Sequence, residues 1–253
     1  MKHFTTILSH EIRMLLVSAS TYIAAVLFLA VMGFIFSGVL ENYSASAQET
    51  SPAAVFFQLF WLPVFFMVPL LTMKCLAEER RLGTLETLLT APVSTAEVVL
   101  GKYFAAYFLY LLLWASTGGF FYILHRFAGD VRFVDIGPLL GGYLFIAVSG
   151  LLYVALGVFA SSLSRNQAVA GILAFTLLFG IIIGLRFVGT LEVLNLDSMR
   201  PLRAAIDYSL VFRHLEDFTR GVVDTRQLLF YASGTVLALI FSILGVEAKL
   251  IHS

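Results

Sequence analysis

Six uncharged apolar runs, each about as long as a helix crossing ~30 Å of hydrocarbon, decide what this chain can fold into. They occupy residues 21–40, 53–73, 103–124, 138–159, 168–185 and 228–246. A closed β-barrel is the other spanning solution, but its strands alternate apolar and polar residues in short stretches, and these runs do not. The expected fold is an all-α integral membrane protein with six transmembrane helices. With their flanks the spans cover about 21–40, 53–77, 97–125, 138–161, 168–186 and 226–247. Six spans take ~120 residues, so a chain of 253 residues is expected to be one transmembrane domain with no room for a second, soluble one.

Composition agrees. The chain is 60% hydrophobic and 13% charged, with a mean hydropathy of +0.93, outside the mix of a soluble domain. Its net charge is zero, without the basic excess expected of a nucleic-acid binder. The single cysteine, Cys75, excludes an intrachain disulfide, so the fold is not tied to an oxidising compartment.

Basic residues set the expected orientation. Lys2 and Arg13 precede the first run and the 41–52 loop has no Lys or Arg, which favours a cytoplasmic N-terminus. Six spans then return the C-terminus to the same side. Across the whole chain Lys and Arg divide equally between the two sides. The first helix usually dominates, and the arginines of the long fifth connection are interleaved with acidic residues, so the N-in, C-in reading stands. The first run is too long for a signal-peptide core of ~7–15 residues and is read as a retained span.

Three connections are more than loops. In residues 1–20, Phe4, Ile7, Leu8, Ile12 and Leu15 recur at helical spacing, which predicts an amphipathic helix in the membrane interface. Either it is a lipid anchor alone, or its polar face, with Glu11 and Arg13, meets a cytoplasmic partner. The second connection carries Glu78-Glu79-Arg80-Arg81, then Gly83 as a helix breaker, Thr84 as an N-cap and Pro92 as a stop. Between them a short helix over 83–92 presents Leu85, Leu88 and Leu89, with Glu86 beside them. Ser94 and Glu97 have capping-box spacing at the start of the third span. Leucines between charged flanks suit a knob docking into a groove on another protein; the alternative is packing back onto the bundle. The fifth connection, 187–225, is too long and polar for a plain loop. Residues 205–218 suit an amphipathic helix, Gly221 a stop, and Asp224 with Gln227 a second capping box. It reads as an extracytoplasmic helical segment, either a cap on the bundle or a cargo-side lid.

Enzyme motifs fail on inspection. His10-Glu11 has Met14 where a metalloprotease motif needs its second histidine, and Gly101-Lys102 has Ala96 and Tyr103 where a phosphate loop needs Gly and Ser or Thr. The histidines show no ligand spacing and no serine sits in a nucleophile elbow. No catalytic residue, metal site or cofactor is expected, and no substrate-binding residue can be named. Ionisable residues are almost absent from the spans, which disfavours an ion relay. Pro63 and Pro69 are expected to kink the second span, Arg186 to snorkel at the end of the fifth, and Gly180 with Gly184 fits a helix-pairing pattern.

The Glu78–Arg81 cluster, Gly83-Thr84-Leu85-Glu86, Leu89-Thr90-Ala91-Pro92-Val93, Leu100-Gly101-Lys102, the 161–167 run and Asp217-Phe218-Thr219-Arg220-Gly221-Val222 resemble the type-2 ABC-transporter permease family. The likeness is greatest to its gliding-motility GldF-like branch and the related nitrous-oxide reductase maturation permeases. The resemblance implies a six-helix permease that pairs with a second copy or a related subunit in the bacterial inner membrane. Two separate ABC ATPase subunits would dock beneath, and an auxiliary membrane subunit can join. It implies that Glu11, Arg13 and the 83–92 coupling helix, flanked by Glu78–Arg81, meet the ATPase. The rival reading is a membrane scaffold that anchors partner proteins without transport.

Overall fold

The structure, a computed structural model, describes residues 2–45, 51–83, 93–127, 135–191 and 199–251. Among them every regular element is helical. Helices α1 (Lys2–Val17) and α2 (Ala19–Ala45) are followed by a segment in three pieces, α3 (Pro52–Gln58), α4 (Trp61–Thr72) and α5 (Ala77–Leu82). Next come α6 (Thr95–Ser116), α7 (Gly118–Phe127) and the unbroken α8 (Ile136–Leu163). Helix α9 (Gln167–Phe179) continues through a π-helical turn (Gly180–Gly184) into α10 (Leu185–Gly189). Two short helices, α11 (Arg200–Tyr208) and α12 (Val211–Thr219), precede α13 (Thr225–Ile251).

Among the described residues six helical segments are long and apolar enough to cross a bilayer: Ala19–Tyr43, Trp61–Leu82, Thr95–Phe127, Ile136–Leu163, Gln167–Gly189 and Thr225–Ala248. The second, third and fourth are 61%, 61% and 67% buried, against 28%, 22% and 33% for the first, fifth and sixth. The core is therefore built by α4, α6 and α8, and the other spans surround it.

Local chemistry explains the interruptions. Pro63 has no N–H, and its ring displaces the carbonyl four residues earlier, at Leu59; the chain breaks there, between α3 and α4. Pro69 lies inside α4 without ending it. The start of α6 carries the expected capping box: the Ser94 Oγ accepts the Glu97 N–H, and the Glu97 carboxylate accepts the Ser94 N–H at 3.1 Å. Gly180 meets nothing within 4 Å and Gly184 only its own helix, so the pairing pattern has no partner within the described chain.

Close approach and polar contacts fix the core. A Cβ on Gly142 would lie 2.1 Å from the Phe57 ring, on Gly150 2.2 Å from Tyr110, and on Gly157 2.3 Å from the Thr72 hydroxyl. These glycines let α3, α6 and α4 press onto α8. Along α6 the phenols of Tyr103, Tyr107 and Tyr110 donate to the carbonyls of Leu151, Ala147 and Ile146 on α8. Such interhelical hydrogen bonds hold helices together where lipid gives no hydrophobic drive.

At the end opposite α1, the segment expected to be one helix over 205–218 is broken at Ser209 and Leu210. Helix α12 buries Val211, His214, Leu215 and Phe218 against the bundle, a spacing that puts all four on one face. Gly141 of α8 lies so close to the Phe218 carbonyl that a Cβ would come within 1.9 Å. Gln227 does not reach back to cap α13; its amide donates to Asp217 at 2.7 Å, and Asp224 alone accepts the Arg226 N–H. The competing acceptor on α12 wins the glutamine, which locks α12 to the last span.

His214 holds this cap from inside. Its Nε2–H donates to the Tyr208 carbonyl at 2.7 Å, so its Nδ1 accepts the Tyr231 hydroxyl at 3.0 Å. Burial is the main cause that lowers the His214 pKa from its ordinary value. A folded-state pKa below the unfolded one gives stability that is present above ~6.5 and lost as pH falls through that region. The hydrogen-exchange protection factors of residues 211–219, which are corrected for the pH dependence of intrinsic exchange, are therefore expected to fall between about pH 7 and about pH 5. His214→Asn should flatten that dependence.

Candidate functional site

The second span breaks again at Met73–Leu76, just before the charged helix α5. A helix start leaves backbone N–H groups without intrahelical acceptors, and inside a bundle those groups need partners. Here one side chain of α8 supplies them. The Ser161 Oγ accepts the N–H groups of Leu76 and Ala77 at 3.0 and 3.1 Å and donates to the Met73 carbonyl at 3.2 Å. One donor and two acceptor sites are all a hydroxyl has, so Ser161 is fully used and spans both sides of the break. Ser161 is completely buried.

On α5 beyond the break, Glu79 meets Lys102 of α6 at 2.7 Å, and the same ammonium meets Glu11 of α1 at 2.7 Å. Lys102 is 4% exposed. A lysine is almost never that buried without partners, and two charge-assisted contacts at this length are strong ones. The pairing is possible because α1 lies directly on α6: a Cβ on Gly101 would come 2.7 Å from the Ile7 side chain, and the Phe4 and Phe104 rings meet edge to face at 6.1 Å. The stripe of Phe4, Ile7, Leu8, Ile12 and Leu15 is half-buried, and part of it faces α6.

Arg80, next along α5, points to the other side. Its guanidinium donates to the Gly245 carbonyl of α13 at 2.8 Å and to the Ser162 carbonyl at the end of α8. Helix α5 is thus tied directly to α6, α8 and α13, and through Lys102 to α1. Gly83 closes it in the left-handed conformation, φ 70°, with its N–H on the Glu79 carbonyl, the helix stop expected from a residue without a Cβ. An open cavity of ≈ 440 Å³ lies between α1 and α5, walled by His10, Met14, Lys74 and Glu78 beside the ion-pair cluster.

The residues expected from the sequence to meet an ATPase accordingly separate. Glu11, Glu79 and Arg80 are engaged inside the chain. Arg13 and Arg81 are exposed, Arg81 3.9 Å from Glu78 along the same helix. Thr84, Leu85, Glu86, Leu88, Leu89 and Pro92 lie outside the described residues. Reading the sequence does not single out Lys102 or Ser161 for these roles. Lys102 has a signal: a lone ammonium two turns inside an apolar helix needs a carboxylate, and Glu11 and Glu79 are among few on that side of the chain. Ser161 has none beyond its place in a short Ser-rich run.

The set holds one ammonium between two carboxylates and so positions helices; its chemistry is that of a clamp. Removing one partner of a buried pair strands the others, at a cost of about 3–5 kcal/mol. Lys102→Met is expected to leave two facing carboxylates, lower the thermal midpoint in detergent and free α1 to proteolysis. Lys102→Arg should retain much of the stability. An unchanged midpoint for Lys102→Met would contradict the clamp.

The family model described as ABC-2 family transporter protein matches residues 40–206. That stretch holds α5, Lys102 and Ser161 and excludes α1 and α13. No curated protein matches the chain.

Proposed function

From the premise that this chain belongs to the ABC-2 transporter family, and so is a multi-pass transmembrane permease component, we propose how it is driven. Two separate ABC ATPase subunits engage the 83–92 segment, and nucleotide-driven closure moves that segment as a lever. Helix α5 receives the motion and divides it. The contacts of Arg80, Glu79 and Lys102 pass it to α1, α6, α8 and α13, while the Ser161-bridged break lets α4 respond separately. The observation that carries this reading is the attachment of one six-residue helix, α5, to three other elements, and through Lys102 to a fourth, immediately before the proposed lever.

The functional unit is a pair of permeases, two copies or one with a related subunit, in a bacterial inner membrane with both termini cytoplasmic. It exports a substrate or transmits force, in the manner of the gliding-motility GldF-like and nitrous-oxide maturation permeases that the motifs resemble. Any auxiliary membrane subunit would join this pair. Arg13 and Arg81, exposed beside the clamp, are available to an ATPase surface; Glu11 and Glu79 act by holding the clamp.

Replacing Leu88 and Leu89 together by glutamate tests the docking surface. The variant is expected to insert into the membrane and to lose co-purification with its ATPase. Undiminished co-purification would remove the proposed lever.

A further inference from the structure

At the end opposite α5 the structure holds a second charged cavity, ≈ 490 Å³, between the broken start of the second span, the end of the fifth and helix α12. Its volume falls in the ~300–1,000 Å³ range of small-molecule sites. Leu59, Trp61 and Phe212 wall it, and Arg186, Arg213 and Glu216 supply its charges. Arg213 is already matched, 3.6 Å from Asp207. Arg186 lies over the Phe212 ring, its guanidinium carbon 5.1 Å from the centroid. Among the described residues it has no carboxylate partner, and neither does Glu216 a basic one.

Glu216 follows Phe212 by one helical turn, so the two stand side by side on α12. Among the described residues the cavity thus presents one unmatched cation and one unmatched anion close to the Phe212 ring, and the two make no ion pair with each other. A simple anion meets repulsion from Glu216 and a simple cation meets it from Arg186. A group carrying both charges meets neither.

Depth narrows the class. Trp61 is the first residue of the second span and Arg186 lies three residues before the end of the fifth, the level at which tryptophan and arginine face lipid headgroups. We propose that this cavity is a headgroup site for a phosphoethanolamine-type glycerophospholipid. Arg186 binds the phosphate, Glu216 accepts the primary ammonium, and Trp61 with Leu59 contacts the glyceryl and acyl region. The site is independent of ATPase docking, and its failure would leave that reading untouched.

Native mass spectrometry of the full chain, purified in detergent with defined lipids, tests it. Wild type is expected to retain phosphatidylethanolamine about fivefold over phosphatidylglycerol, the worth of one exposed charge pair of ~1 kcal/mol. Glu216→Gln should abolish that preference while phosphatidylglycerol is still retained, and Arg186→Gln should lower retention of both. Both residues are exposed, and circular dichroism checks that each variant keeps its helical content. Equal retention of the two lipids by wild type overturns the proposal, as does a preference that neither variant alters. Displacement of the lipid by free phosphoethanolamine at equal concentration would overturn the assignment to a lipid.

Discussion

One buried ammonium holds the cytoplasm-facing architecture proposed for this protein together. Lys102 sits 4% exposed between Glu11 and Glu79, and a charge so placed is tolerable only while both carboxylates stay in reach. That requirement fixes α1 against α6 and sets the direction in which α5 leaves the second span. It also places Arg80 opposite the backbone carbonyls of α8 and α13. The pair is weak evidence for net stability, because desolvation offsets much of its attraction. Its effect is on geometry: few alternative arrangements of these helices keep both carboxylates on the one ammonium.

The same region contains a break between helices whose donors are satisfied from another span. Ser161 serves both sides of it with three hydrogen bonds, which is how a membrane bundle tolerates an interrupted helix. A break bridged by a side chain of another span, where the i→i−4 ladder is interrupted, is a natural place for an angular change. Below it α5 is held by α6, α8 and α13; above it α4 packs with α2 and α9. At the far end His214, Gln227 and Gly141 fasten α12 to the bundle, so motion arriving from α5 meets a capped end.

Much of this is legible in the sequence, for identifiable reasons. Six long apolar runs leave only one fold class open, and the Ser94–Glu97 cap and Gly83 stop follow from local rules that tertiary contacts do not override. The exceptions are positions where a distant residue competes. Gln227 fits a capping box by spacing, but Asp217 of α12 takes its amide. Glu11 reads as part of an outward polar face, yet a lysine 91 positions away turns it inward. Ser161 cannot be found from the sequence, because its role is set by a break in another helix. The Leu85–Leu89 stripe lies outside the described residues.

The central claim is that α5 moves as one body with α1 while the Ser161 break absorbs the motion. Pulsed electron paramagnetic resonance on the complex with its ATPase, in a Cys75→Ser background, measures this directly. One spin-label pair at Arg13 and Arg81, both exposed, reports across the clamp; another at Phe66 and Arg81 straddles the break. On adding ATP, the account predicts an unchanged Arg13–Arg81 distance and a shifted Phe66–Arg81 distance. A shifted first distance, or an unmoved second one during ATP turnover, would contradict it.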